Sequence, residues 1–373
     1  MTNLLPAILI AGPPHSGKSV LAYLLSRRLR EAQVPHILLR AAPDGEGDWF
    51  YQGPEEVRLR QRRKGVYTAS LLAEMEAAIR RRNLPMLVDI GGRPRDAQFR
   101  LFDACTHVIH LWREADDRRQ WEAWLEERSL IPIATLQSQL TLPDHITSDV
   151  GPLQGIITGL ERSNPQPGPL FERVLERVRG ICSYPPEALE AEHLRRAPEG
   201  IPVRTVAQLA AEAGIRPAER GLWWAPEHLP LVTARLPAGR PLALYGRGPL
   251  WLYAAVAARV APAPFHLFDA RFYGWMQPPS VRLNSRRTNL EFTLAIQKAA
   301  DEIRLRFDLL PHHHVLHPRP IHVPPLPGDG PVVLDGKMPA WMVAALARAL
   351  RERPRLAVYD ATLNQDVVLW PVA

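Results

Sequence analysis

Cysteine is scarce in this chain of 373 residues, which contains only Cys105 and Cys182. Two cysteines are too few for a disulfide framework, and their separation does not match any metal-ligand spacing. No uninterrupted apolar run approaches the ~20 residues of a membrane-spanning helix. The N-terminal residues run straight into a strand-like segment, which leaves no room for a signal peptide. We therefore expect a cytoplasmic protein with no membrane partner.

Acidic residues are outnumbered, with 39 Asp and Glu against 46 Lys and Arg, for a net charge of +7. This excess favours anionic partners such as nucleotides or RNA; we do not expect DNA. Hydrophobic content of 46% and charged content of 23% are ordinary for a globular protein. The length predicts two or more domains, each with its own core.

The segment from residue 12 to residue 19 reads GPPHSGKS and matches the phosphate-loop pattern. It follows an apolar strand-like run and opens an amphipathic helical pattern, which is the context that such a loop requires. Lys18 is expected to reach the β- and γ-phosphates of ATP, and the Ser19 hydroxyl to ligate Mg²⁺. The alternative is a chance glycine turn before a helix. The predicted nucleotide-binding residues of this loop are Gly12, His15, Ser16, Gly17, Lys18 and Ser19.

Strand-like runs alternate with helical patterns through the first half, which predicts a parallel α/β sheet. The predicted strands are Ala7–Ala11, Pro35–Arg40, Leu84–Ile90 and His107–Trp112. Asp89 closes the third strand, where a carboxylate typically holds Mg²⁺ in nucleoside triphosphatases; alternatively it caps the next helix. Arg93 and Arg113 are candidates for stabilising γ-phosphate charge, or else belong to surface ion pairs.

An acidic, glycine-rich segment follows the second predicted strand. Asp44, Glu46 and Asp48 could hold Mg²⁺ or act as a base towards a phosphoryl acceptor. An acidic surface turn is an equally good interpretation.

The second half contains an internal repeat, because Arg240–Trp251 aligns with Gly330–Trp341. Gly246 matches Gly336 in this alignment, and Asp269 matches Asp360. Each copy reads as a strand, a glycine turn, a helix and a strand ending in Asp, so we expect duplicated domains that resemble a homodimer. The predicted α/β architecture is a phosphate-loop domain over 1–200 and two small repeats over 220–285 and 300–373. Helical stretches near Pro186–Arg196 and Val203–Ala213 are expected to connect the halves.

The first copy, with YGRGPLWLY from Tyr245 and FDAR from Phe268, resembles the small ring nucleases of type III CRISPR antiviral systems. That family binds and cleaves cyclic tetra-adenylate, and some members are fused to an ATPase-like domain similar to the first half. The resemblance implies ring binding by the turn and catalysis by Asp269 and Arg271. The implied ring-binding residues are Gly246, Arg247, Gly248 and Pro249.

The family's catalytic histidine, near the end of the helix, is absent from both copies. The corresponding positions hold Ala261-Pro262 and Arg351-Glu352. His266 falls within a strand and is expected to be structural. The cluster His312-His313-His314, with His317 and His322, could supply a base or a Mn²⁺ ligand instead, or form an exposed loop.

Three functions follow from this reading. The leading one is an ATP- and Mg²⁺-binding protein, expected to be homo-oligomeric, that binds and degrades cyclic oligoadenylate. The second is a sensor whose occupancy by the ring controls the phosphate-loop domain without cleavage. The third is a kinase that phosphorylates a nucleotide or oligonucleotide hydroxyl.

Overall fold

The computed structural model describes residues 5–41, 68–140, 142–162, 164–218, 221–222, 224–270, 274–299, 302–310 and 318–370. Its contacts divide the chain into two compact units. The first unit is Met1–Ala191 with Ala270–Tyr273, and the second unit is Glu192–Asp269 with Gly274–Ala373. Both are mixed α/β structures. None of the helices in these described ranges is long and apolar enough to cross a membrane.

The first unit is built on a seven-stranded sheet with the order β2-β3-β1-β4-β5-β7-β6. Every neighbouring pair is parallel except β6 and β7, which are antiparallel. The predicted parallel sheet is therefore confirmed, and the structure adds three strands that the sequence did not reveal. The strands are β1 (Ala7–Ala11), β2 (Ile37–Ala41), β3 (Met86–Ile90), β4 (His107–Trp112), β5 (Ile131–Ser138), β6 (His145–Ser148) and β7 (Leu153–Ile157).

Helices cover both faces of this sheet, which explains why its central strands are apolar runs rather than alternating ones. Residues of β1 point alternately to two hydrophobic clusters, with Ile8 and Ile10 in one and Leu9 in the other. Asp89 is the one charged residue of β3 and is only 2% exposed. The helices are α1 (Lys18–Glu31), α2 (Ala69–Arg80), α3 (Phe99–Phe102), α4 (Ala115–Glu126) and α5 (Pro169–Cys182).

The second unit contains two sheets with a shared pattern of strand directions. In the order β13-β12-β11-β8, the β11 strand is parallel to β8 and β12, while β13 is antiparallel to β12. In the order β15-β16-β18-β19-β20, the β18 strand is parallel to β16 and β19, while β20 is antiparallel to β19. The strands are β8 (Val203–Thr205), β11 (Leu242–Tyr245), β12 (Phe265–Asp269), β13 (Gly274–Met276), β15 (Phe292–Ala299), β16 (Glu302–Leu309), β18 (Val332–Asp335), β19 (Leu356–Asp360) and β20 (Gln365–Trp370).

Two short ribbons complete the strands of this unit. Strand β9 (Pro217–Ala218) pairs with β10 (Gly221–Leu222), and β14 (Val281–Arg282) pairs with β17 (Ile321–His322). The helices of the chain after α5 are α6 (Pro186–Arg195), α7 (Val206–Glu212), α8 (His228–Ala234), α9 (Leu250–Val260) and α10 (Ala340–Ala349).

One predicted helix begins too early. The sequence predicts helix over Val203–Ala213, but Val203–Thr205 form β8, and α7 begins only at Val206. Thr205 ends the strand and caps the helix, because its hydroxyl accepts a hydrogen bond from the Gln208 amide. A three-residue strand has no periodicity to read, and its pairing with β11 decides its conformation.

The two helices that follow the glycine turns, α9 and α10, pack against each other. Trp251 of α9 is 1% exposed and lies in the core. Its indole Nε1 donates a hydrogen bond to Asp360 Oδ2 at 3.0 Å. Arg348 of α10 donates to the carbonyl oxygens of Ala257 and Ala263.

Candidate functional sites

The Gly12–Ser19 loop joins β1 to α1 through two glycines with positive φ. Gly12 has φ 142°, and a Cβ there would lie 2.1 Å from the Leu111 carbonyl oxygen. Gly17, with φ 82°, is the N-cap of α1. The loop also holds itself together, because the buried Ser16 hydroxyl donates to Pro13 O at 2.9 Å. These conformations present the N-terminus of α1 to a ligand, where backbone amides and the helix dipole favour an anion.

Lys18 is buried within this loop and is 6% exposed. Its Nζ donates to Pro13 O at 2.6 Å. Burial lowers the pKa of Lys18 to about 8. The negative charge of Asp89 opposes this shift, and the positive charge of Arg40 adds to it. The protonated amine is therefore poorly solvated, and an anionic ligand beside it would recover the lost charge stabilisation.

Asp89 lies beside the loop because β3 pairs with β1 and places Asp89 opposite Ile10. On its other side, β2 places Arg40 opposite Asp89, and Arg40 Nη1 is 3.6 Å from Asp89 Oδ2. A carboxylate and two cations thus meet at the carboxyl ends of three adjacent parallel strands, the edge where open α/β sheets bind ligands.

A cavity of about 310 Å³ opens at this edge. Four predicted residues line it, namely His15, Gly17, Lys18 and Ser19. Gly12, Ser16 and Asp89 do not line the cavity; Ser16 and Asp89 are buried. The other lining residues are Pro14, Val20, Arg40, Gly91, Gly92, Leu160 and Arg162.

Arg162 and Leu160 come from a loop that the sequence left unassigned. Leu160 packs on the Gly12–Ser19 loop so closely that a Cβ on Gly17 would meet Leu160 Cβ at 2.8 Å. Asp144 fastens this loop, because one carboxylate oxygen accepts from the Thr158 amide and the other from the Leu170 amide. The loop therefore brings a second arginine to the cavity.

The two arginines that the sequence nominated lie elsewhere. Arg113 is exposed and does not line the cavity, and its carbonyl oxygen accepts from Gln137 Nε2. Arg93 Nη2 is 2.9 Å from Asp117 Oδ1, so it belongs to the surface ion pair that was the alternative interpretation. Arg40 and Arg162 line the cavity, and Arg113 does not. Arg40 ends the predicted second strand, and this was the signal that could have identified it.

The glycine turns of the second unit have matching backbones. Gly246 and Gly336 have φ 108° and φ 106°, and the prolines that cap α9 and α10 both have ψ 153°. A Cβ on Gly336 would meet the Phe307 carbonyl oxygen at 2.4 Å, so the turn requires glycine. The repeat seen in the sequence is therefore also a repeat of local conformation.

In the first copy, the predicted ring-binding turn is braced by Tyr253, whose hydroxyl donates to Gly246 O. Burial raises the pKa of Tyr253 to about 12, while the charges of Arg247 and Asp269 act on it in opposite directions. Gly248 and Pro249 complete this turn before α9.

The second copy differs at its aspartate. Asp360 Oδ2 accepts from Trp251, and Oδ1 accepts from the amides of Thr362 and Leu363. Both carboxylate oxygens are therefore used within the fold. His266 lies in β12, as predicted, and burial lowers the pKa of its imidazole.

Several predicted residues lie outside the described residues. These are Asp44, Glu46 and Asp48 of the acidic segment, Arg271, and the histidines 312–314 and 317. In the part of the chain that is described, no group of three or more His, Cys, Asp or Glu residues could hold a metal ion.

Comparison with known proteins gives one family match. Residues 313–371 match the family model of the CRISPR-associated protein Cas_csx3. No curated protein matches the chain. Among solved structures, chloroplast FtsY from Physcomitrella patens is similar with a TM-score of 0.28 and 11% identity. That alignment covers 48% of this chain and 66% of the FtsY chain, just under two thirds. The family match, which includes β18, α10, β19 and β20, indicates a CRISPR-associated protein.

Proposed function

We propose that the first unit binds ATP with Mg²⁺ in the cavity beside the Gly12–Ser19 loop. The observation that carries this proposal is the meeting of Lys18, Arg40 and Arg162 around a cavity at the N-terminus of α1. Three cations at one cavity, two of them beside Asp89, suit a polyphosphate.

The residues at this site fit Mg²⁺. Ser19 lines the cavity, and Asp89 lies beneath it beside Lys18 and Arg40. Mg²⁺ in nucleotide sites is held by one or two protein oxygens, and phosphates and water complete its shell. Ser19 and Asp89 would hold the ion, which, when bound, neutralises charge on the β- and γ-phosphate oxygens.

Lys18 and the two arginines have separable tasks in this proposal. Lys18 exchanges its hydrogen bond to Pro13 O for one to a phosphate oxygen. Arg40 already offsets Asp89, so its charge is shared between the carboxylate and the ligand. Arg162 lines the same cavity from the loop that Asp144 fastens, and we assign it to the terminal phosphate, the role predicted from the sequence for Arg93 or Arg113.

For the second unit we propose binding and degradation of cyclic oligoadenylate. The support is the duplicated glycine turn of matching φ, together with the CRISPR-associated family match over the second copy. A paired arrangement suits a cyclic, symmetric ligand, and Arg247 offers a guanidinium fork for its phosphate. Asp269 is assigned to the cleavage step, with Mn²⁺ as a candidate metal.

A sensor without ring cleavage is the second candidate, and one observation favours it. Asp360 has both carboxylate oxygens occupied by Trp251 and backbone amides, so the aspartate of the second copy is committed to holding the fold together. With the family histidine absent from both copies, the turns would then bind the ring and leave it intact.

The deciding experiment incubates the full chain with cyclic tetra-adenylate, with and without ATP and Mg²⁺ or Mn²⁺, and identifies products by mass spectrometry. Linear adenylates that disappear in Asp269→Ala support degradation. Tight binding without linear product under any metal condition supports the sensor, whereas absence of binding refutes both. A phosphorylated product would instead support the kinase alternative.

A further inference from the structure

The β14–β17 ribbon, with the turn over residues 283–289, is a part of the second unit that the proposed function does not use. The described residues that flank its two strands in the sequence, 274–290 and 318–328, include no Asp or Glu. Arg282 and His322 are directly paired across the ribbon. Paired residues of adjacent strands project to the same face, so the guanidinium and the imidazole share one side.

Three hydrogen bonds, from Ser285 and Asn289, hold His322 in place. Its Nδ1 lies 2.9 Å from Ser285 Oγ. The Asn289 side-chain amide donates to His322 O at 2.8 Å and accepts from His322 N at 2.9 Å. Ser285 is itself anchored, because its amide donates to Val323 O. Nε2 makes no hydrogen bond to any described residue, so it is the ring nitrogen left for a ligand.

Three arginines lie next to this Ser285–His322 pair, namely Arg282, Arg286 and Arg287. The Arg287 amide donates to Ser285 Oγ at 3.2 Å, which sets Arg286 and Arg287 next to the pair. Both are exposed, as is Arg282, and none of the three makes an ion pair with a described residue. By contrast, the exposed Arg351 is paired with Glu352. The nearest carboxylate in the sequence, Glu291, is buried, so the exposed positive charge of these arginines can attract anions.

We propose that this ribbon binds the phosphodiester groups of an oligoribonucleotide, with His322 Nε2 and the guanidiniums of Arg282, Arg286 and Arg287 as donors. Guanidiniums match phosphate oxygens in pairs, and the fixed imidazole adds a donor at low entropic cost. An acidic peptide suits the ribbon less well, because strands of two residues offer neither a long open edge nor apolar pockets. These donors contact only the sugar-phosphate backbone of the RNA, so we expect binding to be independent of the base sequence.

The test measures fluorescence anisotropy of labelled linear tetra-adenylate and tetra-uridylate with the full chain. The Arg286→Ala/Arg287→Ala double variant should lose about tenfold or more in affinity for both RNAs. The slope of log Kd against log salt should fall by about 1.4, or 0.7 for each phosphate contact to single-stranded RNA. Ser285→Ala, which releases His322 Nδ1, should weaken binding two- to fivefold. Arg351→Ala is the matched control and should bind as wild type.

Wild-type affinity in the double variant, no RNA binding by the wild type, or equal competition by poly-glutamate would each overturn the proposal. If the double variant melts at a lower temperature, Arg286→Gln/Arg287→Gln gives the same charge change with longer side chains. Arg247→Ala separates this site from the proposed ring site. Arg247→Ala should leave tetra-uridylate binding unchanged. If this variant loses only cyclic tetra-adenylate binding, the result concerns the proposed ring site and not the ribbon.

Discussion

Replacement of Lys18 by methionine should stabilise the ligand-free protein while weakening ATP binding. Burial lowers the pKa of Lys18 from 10.5 to about 8. At about 1.4 kcal/mol for each pH unit, the buried charge costs the folded state roughly 3 kcal/mol at neutral pH. Methionine removes that cost but also removes the hydrogen bond to Pro13 O, worth about 1 kcal/mol. We expect a net gain of about 1–2 kcal/mol, or ~2–8 °C for a unit of this size.

The pH dependence of this gain has a definite sign. Below pH 8, Lys18 is charged in both the folded and the unfolded chain, so the full cost is present. Between pH 8 and 10.5 the folded protein loses this proton first, and the stability of the wild type rises with pH. The advantage of Lys18→Met should therefore be largest at pH 7 and should shrink towards pH 10.

Differential scanning fluorimetry of the ligand-free proteins at pH 7 and 9.5 tests the stability change. Lys298→Met, at an exposed lysine of β15, is the matched control and should not show this gain. Calorimetric titration with ATP and Mg²⁺ tests the binding change. A charge-assisted bond of about 1.5–3 kcal/mol corresponds to a 10- to 100-fold weaker Kd. A lower melting temperature at pH 7, a gain that does not vary with pH, or unchanged ATP affinity would refute the reasoning.

Other substitutions test the remaining assignments. Arg162→Ala should weaken ATP binding about tenfold through the loss of one charge-assisted contact, whereas Arg113→Ala should leave ATP binding unchanged. Calorimetric titration with the opposite result would assign the ATP contact to Arg113 instead of Arg162. Arg247→Ala should weaken cyclic tetra-adenylate binding about 10- to 100-fold, whereas Arg27→Ala, at an exposed arginine of the first unit, should leave it unchanged in a gel-shift assay. Gly246→Ala should lower the free energy of unfolding by about 1–2 kcal/mol, because a Cβ disfavours φ 108°; a melting temperature equal to wild type would contradict that strain.

The parallel sheet of the first unit was predictable because its central strands are continuous apolar runs between helical patterns. The boundaries of β1 and β4 agree with the prediction at both ends. Strand β5 was missed because it contains Pro132, Thr135 and Gln137 among its apolar residues, and β7 is interrupted by Gln154 and Gly155. Strand β8 was predicted as helix because only its pairing with β11 makes it a strand. In each case tertiary pairing, rather than local preference, decides the conformation.

The sequence by itself determined the features that depend on neighbours along the chain. The Gly12–Ser19 loop, the positive φ at its glycines and the repeated glycine turn before α9 and α10 are local, because glycine adopts a positive φ without the steric cost of a Cβ. The tertiary structure decided which charges meet. Strand order places Arg40 beside Asp89, and the anchoring of a distant loop by Asp144 brings Arg162 to the same cavity. Electrostatic interaction depends on distance through space, and only the folded chain sets that distance.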